Sequence, residues 1–508
     1  MVDTTMNNKS KNAWREKALI FALSFCLGSG YAYSDEIKLK NGTVVKGDIV
    51  EKTPNYIRLN VGGVVVKYYS DEIAGNYPAH AETAKDSLQN GNAAHKQGNL
   101  TQAIADFTKA IEINPKLAEA YDNRGEVYVE KGNLTQAIAD FTRALEVNPQ
   151  LAGAYANRGA AYRSQGNFSQ AIADCCQAIA IDPNFAAAYN NRGAIYADQN
   201  NFIQAMTDFN KAIEINPKYA DAYRNHGLAW LRRGNLAQAM ADFSRAIEIN
   251  PKFAAAYCNR GTVYNAQGNF VQAIADFNKS IEIDPKIADA YCLRGVAYGA
   301  QGNFTQAVGD FNRAIEINPK FVAAYGKRGC VYVQQGNFTQ ALVDFNKAIE
   351  INPNYMEAHY DRGVVYIRQG KFAQVVDDCS KAIEINPHFV GAYVNRAFAY
   401  SKQGNLPQAI SDYTKVIEIS PNKYAQAYNN RGFAYDEIGN HDQAILDATR
   451  AIEINPKFAA AYDTRSVAYF HNKEYDKAWE DTHKAESLGH VPDPKFLENL
   501  KKASGRER

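Results

Sequence analysis

Prolines recur at 115, 149, 183, 217, 251, 285, 319, 353, 387 and 421, each 34 residues after the last, and a single inserted residue carries the next to Pro456. A spacing kept that strictly excludes an ordinary globular core. It requires one supersecondary unit, used again and again and stacked on itself. Numbering the proline as position 32 puts Gly at position 8 (Gly125, Gly193, Gly227, Gly261) and Tyr or Trp at 11. Ala stands at 20 and 27, and Phe at 24 (Phe141, Phe209, Phe243). These fall at helical spacing on two stretches per unit. Small residues at 8, 20 and 27 let two backbones approach, while large ones at 4, 11 and 24 fill the space between them. A Gly-Asn pair at 15–16 ends the first helix (helix A), because both residues tolerate the left-handed conformation. Asn-Pro ends the second (helix B).

This pattern resembles the tetratricopeptide repeat. The resemblance covers twelve units over 84–492, starting at 84, 118, 152, 186, 220, 254, 288, 322, 356, 390, 425 and 459. It implies an all-α superhelical solenoid of about twelve helix pairs. In the last unit Ser466 stands for Gly and Thr482 for Phe, which reads as a degraded copy, and "DPKFLENLKKA" (493–503) reads as a capping helix.

Ahead of the array lie two other segments, with a linker at 77–83. Residues 35–76 hold Asn41-Gly42 and Gly62-Gly63 between strand-like runs, two hairpin signals. They predict a small all-β, barrel-like module of four or five strands, similar to SH3 or Sm folds through "LKNGTVVKGDI". Residues 1–34 carry Lys9, Lys11, Arg15 and Lys17 before the apolar run 18–30, then Gly30-Tyr31-Ala32. That is the pattern of a secretory signal peptide, too short for an ordinary membrane span. The expected location is the periplasm or cell envelope.

Two polar positions on helix A carry the functional question. From the second unit onward position 7 is Arg in Arg124, Arg158, Arg192 and seven further units, with His226 the exception; position 23 is Asp in all twelve, including Asp140, Asp174 and Asp208. At about 100° per residue, each lies roughly 60° from the packed stripe of its own helix. A half-buried guanidinium needs a partner for its donors, so positions 7 and 23 are expected to form structural ion pairs, within or between units. Position 6 is Asn at Asn123, Asn157, Asn191, Asn225, Asn259, Asn395 and Asn430. It lies about 200° from position 4, on the side packing does not use, together with positions 2, 9 and 13. An amide offers a donor and an acceptor, which suits an extended peptide backbone. The stripe is similar to that of O-linked N-acetylglucosamine transferase repeat regions, and that resemblance implies a peptide-holding ladder on the inner surface. Leu293, Lys327 and Asp361 interrupt it.

Little else suggests chemistry. There is no GK[ST] phosphate loop, HExxH, GxSxG or CxxC. Cys258, Cys292 and Cys330 fall in adjacent units, about a helix diameter apart, beyond the reach of a disulfide or a shared zinc. They read as small fillers, and Cys175 and Cys379 as buried substitutes for Phe. His471, His483 and His490 share no ligand spacing. "NLT", "NFS" and "NFT" fall in the A–B turn, where Ser or Thr would cap helix B. Neither metal nor cofactor is expected. The net charge of +1 gives no electrostatic footprint for nucleic acid. The expected function is a non-enzymatic scaffold that binds a protein or an extended peptide in the concave groove. The alternatives are a regulatory or substrate-recruiting subunit of an envelope enzyme such as a glycosyltransferase, and nucleic-acid binding through the β module.

Overall fold

The computed structural model describes residues 35–53, 56–69, 72–74 and 83–506. The expected signal peptide, 1–34, and nearly all of the linker lie outside them.

The β module is a four-stranded antiparallel meander: β1 (Asp35–Lys38), β2 (Val44–Thr53), β3 (Tyr56–Val61) and β4 (Val64–Tyr69). Val61 pairs with Val64 across Gly62 and Gly63, whose φ values are 60° and 90°. Only such a turn matches the twist of a two-residue hairpin. After β4 the chain returns to the start of the sheet. Leu39 bridges Ile73, and Lys40 N–H donates to Glu72 O at 2.9 Å. The curled sheet encloses Ile37, Val45, Ile57, Leu59, Tyr68 and Ile73.

From Ala84 onward the described residues form twenty-five helices, the first twenty-four as antiparallel A–B pairs and the last (Pro494–Ser504) alone. In the second repeat, helix A is Ala118–Glu130 and helix B Leu134–Val147. Between them Gly132 takes φ 75°, and Asn133 caps helix B by accepting the Gln136 N–H at 3.3 Å. Asn99, Asn235, Asn337 and Asn440 do the same. This corrects the expectation that Ser or Thr supplies the cap, because the hydroxyl residue lies two places too far in, at the second helical position. Helix B ends at Asn148, held extended (φ −132°, ψ 92°) by the proline after it, while its Oδ1 accepts the Gln150 N–H.

The chain divides into two compact units, residues up to Ile181 and from Asp182 onward. The first holds the β module and three repeats, the second nine repeats and the final helix. In both, helix A meets helix B at position 8. A Cβ built on Gly125 would come within 2.5 Å of the Phe141 ring, and one on Gly329 within 2.6 Å of Phe345. Where Phe is absent the glycine is looser, as at Gly363, where the nearest atom is Cys379 Sγ at 3.5 Å. The last repeat is not a degraded copy but a matched exchange. Ser466 Oγ lies 2.7 Å from Thr482 Oγ1 and 2.8 Å from Ala478 O, so two hydroxyls replace the glycine and the ring.

Candidate functional site: the helix A face

Arg124 donates from Nε and Nη2 to Asp140 Oδ2 and Oδ1 at 2.7 and 2.8 Å. Arg158 does the same to Asp174 at 2.7 and 2.8 Å, and Arg192 to Asp208 at 2.8 and 2.7 Å. Each pair lies within one repeat. The side chains are mostly buried, 16% exposed for Arg124 and 9% for Asp140, and the carboxylate's hydrogen bonds hold the guanidinium pKa above its ordinary value. The remaining nitrogen reaches backward. Arg124 Nη1 donates to Thr108 Oγ1 at 2.9 Å, and Arg158 Nη1 to Thr142 at 3.1 Å. Arg260, Arg294, Arg396 and Arg465 make the same contact with Ser244, Asn278, Ser380 and Thr449. One guanidinium thus ties its own helix B to helix B of the preceding repeat. The sequence signal for this second partner is a short polar residue at position 25.

His226 breaks the series. Its Nδ1 lies 2.9 Å from Asp242 Oδ2, yet neither atom makes a hydrogen bond, and the ring sits edge-on to Phe209 and Trp230. His226→Arg, with Asp242 ahead and Asn210 at position 25 behind, is expected to stabilise the second unit by about 1.5–3 kcal/mol, the range for a hydrogen bond to a charged group. Urea unfolding of the two proteins compares them directly, and a lower midpoint would show that the slot does not accept the fork.

The asparagines are not on an unused side. All seven are half-buried. Asn123 Nδ2 donates to Asn92 Oδ1 at 2.8 Å, and Asn157 Nδ2 to Asp122 Oδ1 and Glu126 Oε1 at 3.2 and 2.8 Å. Asn225 Nδ2 donates to Asn190 Oδ1 at 2.9 Å, and Asn430 Nδ2 to the Tyr413 hydroxyl at 3.3 Å. The wheel treated helix A as isolated. For Asn123, Asn157 and Asn225, helix A of the preceding repeat lies against position 6 and its positions 5 and 9 take up the amide; for Asn430 helix B of the preceding repeat does so. Asn259 and Asn395 each keep a buried Nδ2 without a hydrogen-bond partner, and Asn191 is half-buried. At the interruptions, Asp361 accepts the Cys330 thiol at 3.2 Å, Leu293 O accepts Asn265 Nδ2, and Lys327 is exposed.

Electrostatics along this face change from repeat to repeat. Asp122 has its pKa pushed up to about 6, mainly by burial, with Glu126 and Glu119 adding repulsion and the Asn157 amide opposing. Position 9 is Glu126 in the second repeat, but Leu228, Val296, Val364, Phe398 and Phe433 in later ones, all part-exposed and Phe433 52% exposed. The six described cysteines are all free. Burial pushes the Cys258, Cys292 and Cys379 thiols up to about 12, which removes the reactive thiolate. The three histidines expected to share no ligand spacing do not meet one another, but His471 meets Asp436, and its ring lies 4.8 Å from that of His441. His483 stacks on Trp479, and His490 Nε2 lies 3.3 Å from Asp463. No described helix is long and apolar enough to cross a membrane.

Family models described as "TPR repeat" match residues 91–132, 125–163, 159–200, 227–268 and 329–370. Models described as "Tetratricopeptide repeat" match 186–219, 254–287, 288–321, 357–389 and 390–457. No curated protein matches the chain. Among solved structures, a tetratricopeptide repeat protein from Parabacteroides merdae ATCC 43184 is 24% identical, covering 49% of this chain and 98% of its own, with a TM-score of 0.40. The anaphase-promoting complex (APC/C) hetero-tetramer Cut9-Hcn1 is 13% identical over 83% of this chain and 96% of that one, with a TM-score of 0.39. YrrB, described as a TPR protein with an unusual peptide-binding site, is 27% identical over 36% of this chain and 95% of that one, with a TM-score of 0.29.

Proposed function

From a chain that belongs to the tetratricopeptide repeat family, we propose a non-enzymatic scaffold that binds extended segments of partner proteins along the helix A face. The observation that carries this reading is the change at position 9. Leu228, Val296, Val364, Phe398 and Phe433 occupy, part-exposed, a place where Glu126 shows that a charged residue also fits. Apolar side chains left at a seam between helices offer sockets for the side chains of a guest. The amides beside them contribute differently from a free ladder. Asn123 and Asn157 donate to helix A of the preceding repeat, and an amide that donates inward still has a carbonyl oxygen able to accept a guest's N–H groups; Asn225 and Asn430 already accept at theirs. The expected place of action is the cell envelope, on the leader-like residues 1–34.

A photo-reactive amino acid installed at Phe433, and separately at Leu446 on helix B (62% exposed), tests the face. Binding as proposed gives cross-links to discrete partner polypeptides from position 433 and none from 446. Val364→Ser then weakens capture by tenfold or more. Cross-linking from 446 alone would move the partner to the opposite side and end this reading.

A further inference from the structure

Where a chain copies itself this strictly, an exception is informative, and one of them meets two residues from variable positions at one place. Position 17 opens helix B with Leu, Phe or Tyr in eleven repeats, as in Leu134, Phe202 and Phe372; in the eleventh repeat it is His441. His441 is the first residue of helix B (His441–Ile454), Asp436 lies in the last turn of helix A (Ala425–Glu437), and His471 ends helix A of the next repeat (Ala459–His471). Asp436 Oδ1 lies 2.6 Å from His441 Nδ1 and 3.0 Å from His471 Nδ1, and Oδ2 also lies 3.0 Å from His471 Nδ1. The three ligand atoms fall within 4.8 Å of one another.

We propose that Asp436, His441 and His471 form a binding site for a divalent transition-metal ion, with Zn²⁺ the first choice. Two imidazoles and a carboxylate are the donor set such ions take, and three protein ligands with a fourth position left open is a recurrent zinc arrangement. Bond lengths of about 2.0–2.2 Å at a tetrahedral ion set its donor atoms roughly 3.3–3.6 Å apart, so the 2.6 Å between Asp436 and His441 must open by about 0.7–1 Å, while the whole set already lies within 4.8 Å. The arrangement permits it: Asp436 is fixed, its side chain 4% exposed, whereas His441 and His471 are 26% and 40% exposed and close the site from the solvent side. Neutral imidazoles present Nδ1 lone pairs by carrying their proton on Nε2, so the ion's two charges meet one carboxylate and the open position faces water. A hydrogen bond from Asn472 Nδ2 to Asp442 Oδ1 at 2.7 Å fastens the same two repeats beside the cluster, and the Phe470 ring lies 5.5 Å from that of His471. A bound ion joins helix A, the start of helix B and the following helix A into one clip near the end of the array.

The competing account is a carboxylate that merely accepts two imidazole N–H groups, and it gives no metal affinity. The test uses the full chain with any affinity tag removed, titrated with Zn²⁺ against a chromophoric chelator. The wild type is expected to bind one equivalent, and His441→Gln and His471→Gln each to weaken that binding at least tenfold. His483→Gln, which alters only the stack on Trp479, should leave it unchanged. As His471 is the more exposed ligand, its variant keeps the fold, checked by helical circular dichroism. A second readout is the melting temperature, raised by Zn²⁺ over chelator in the wild type and not in His471→Gln. A wild type that binds Zn²⁺ no better than His471→Gln overturns the proposal, as does equal loss in His483→Gln.

Discussion

Asp344→Ala is expected to destabilise the eighth repeat by about 3–5 kcal/mol, the cost of removing one partner of a buried ion pair. Arg328 donates from Nε and Nη2 to the Asp344 oxygens at 2.8 and 2.6 Å, and its Nη1 donates to Asn312 of the seventh repeat. With Asp344 3% exposed and Arg328 18%, the alanine variant strands a guanidinium that water reaches poorly. Asp344→Asn keeps an acceptor and should lose less. Because stability in a stacked array is a sum of repeat and neighbour contributions, a single melting temperature dilutes the effect. Amide hydrogen exchange resolved over residues 322–355 and the adjoining repeats reads it locally. A loss under 1 kcal/mol there would show that the pair is ornamental.

Gly125→Ala is expected to cost about 1–3 kcal/mol, the range for overpacking a filled core, while Gly363→Ala is expected to be neutral or to gain up to about 1 kcal/mol from helix propensity. The added methyl at 125 would stand 2.5, 2.8 and 2.9 Å from three atoms of the Phe141 ring, which is fully buried. At 363 the nearest atoms are Cys379 Sγ at 3.5 Å and Asp378 Cβ at 3.7 Å, ordinary contact. The same substitution at the same repeat position thus changes sign with the residue at position 24. Equal losses at both sites would mean that position 8 is needed for its backbone and not for the space it leaves.

Much of this was legible because the chain states it many times over. The proline period, the glycine–phenylalanine contact and the Arg–Asp fork each involve two residues of one helix pair, and an angular argument on single helices suffices for those. The rest depends on neighbours. The fork's third arm is written at position 25 in short polar residues that look solvent-facing on their own helix. The amides at position 6 face away from their own helix pair but toward the previous one, so a wheel drawn for one helix leaves them open. Asp436 and His471 are 35 residues apart and adjacent only because repeats stack. The Asn cap of helix B was hidden for a smaller reason: two cap-forming residue types stand two places apart, and only the start of the helix decides between them.

The backward reach of each arginine has a consequence for how such an array changes length. A repeat with Arg at position 7 fits behind any repeat that offers Thr, Ser or Asn at position 25, because all three present an oxygen to the same nitrogen. Between modules that carry both residues, loss or gain of a whole module therefore recreates a compatible joint in a step of 34; the fifth repeat, with His226 at position 7, and the third, with Cys176 at position 25, lack one half of it. The two extremities do not carry that grammar. The first module has Asn90 where the arginine would be, and the last has His483 where the oxygen would be, so neither offers that joint on its outer side.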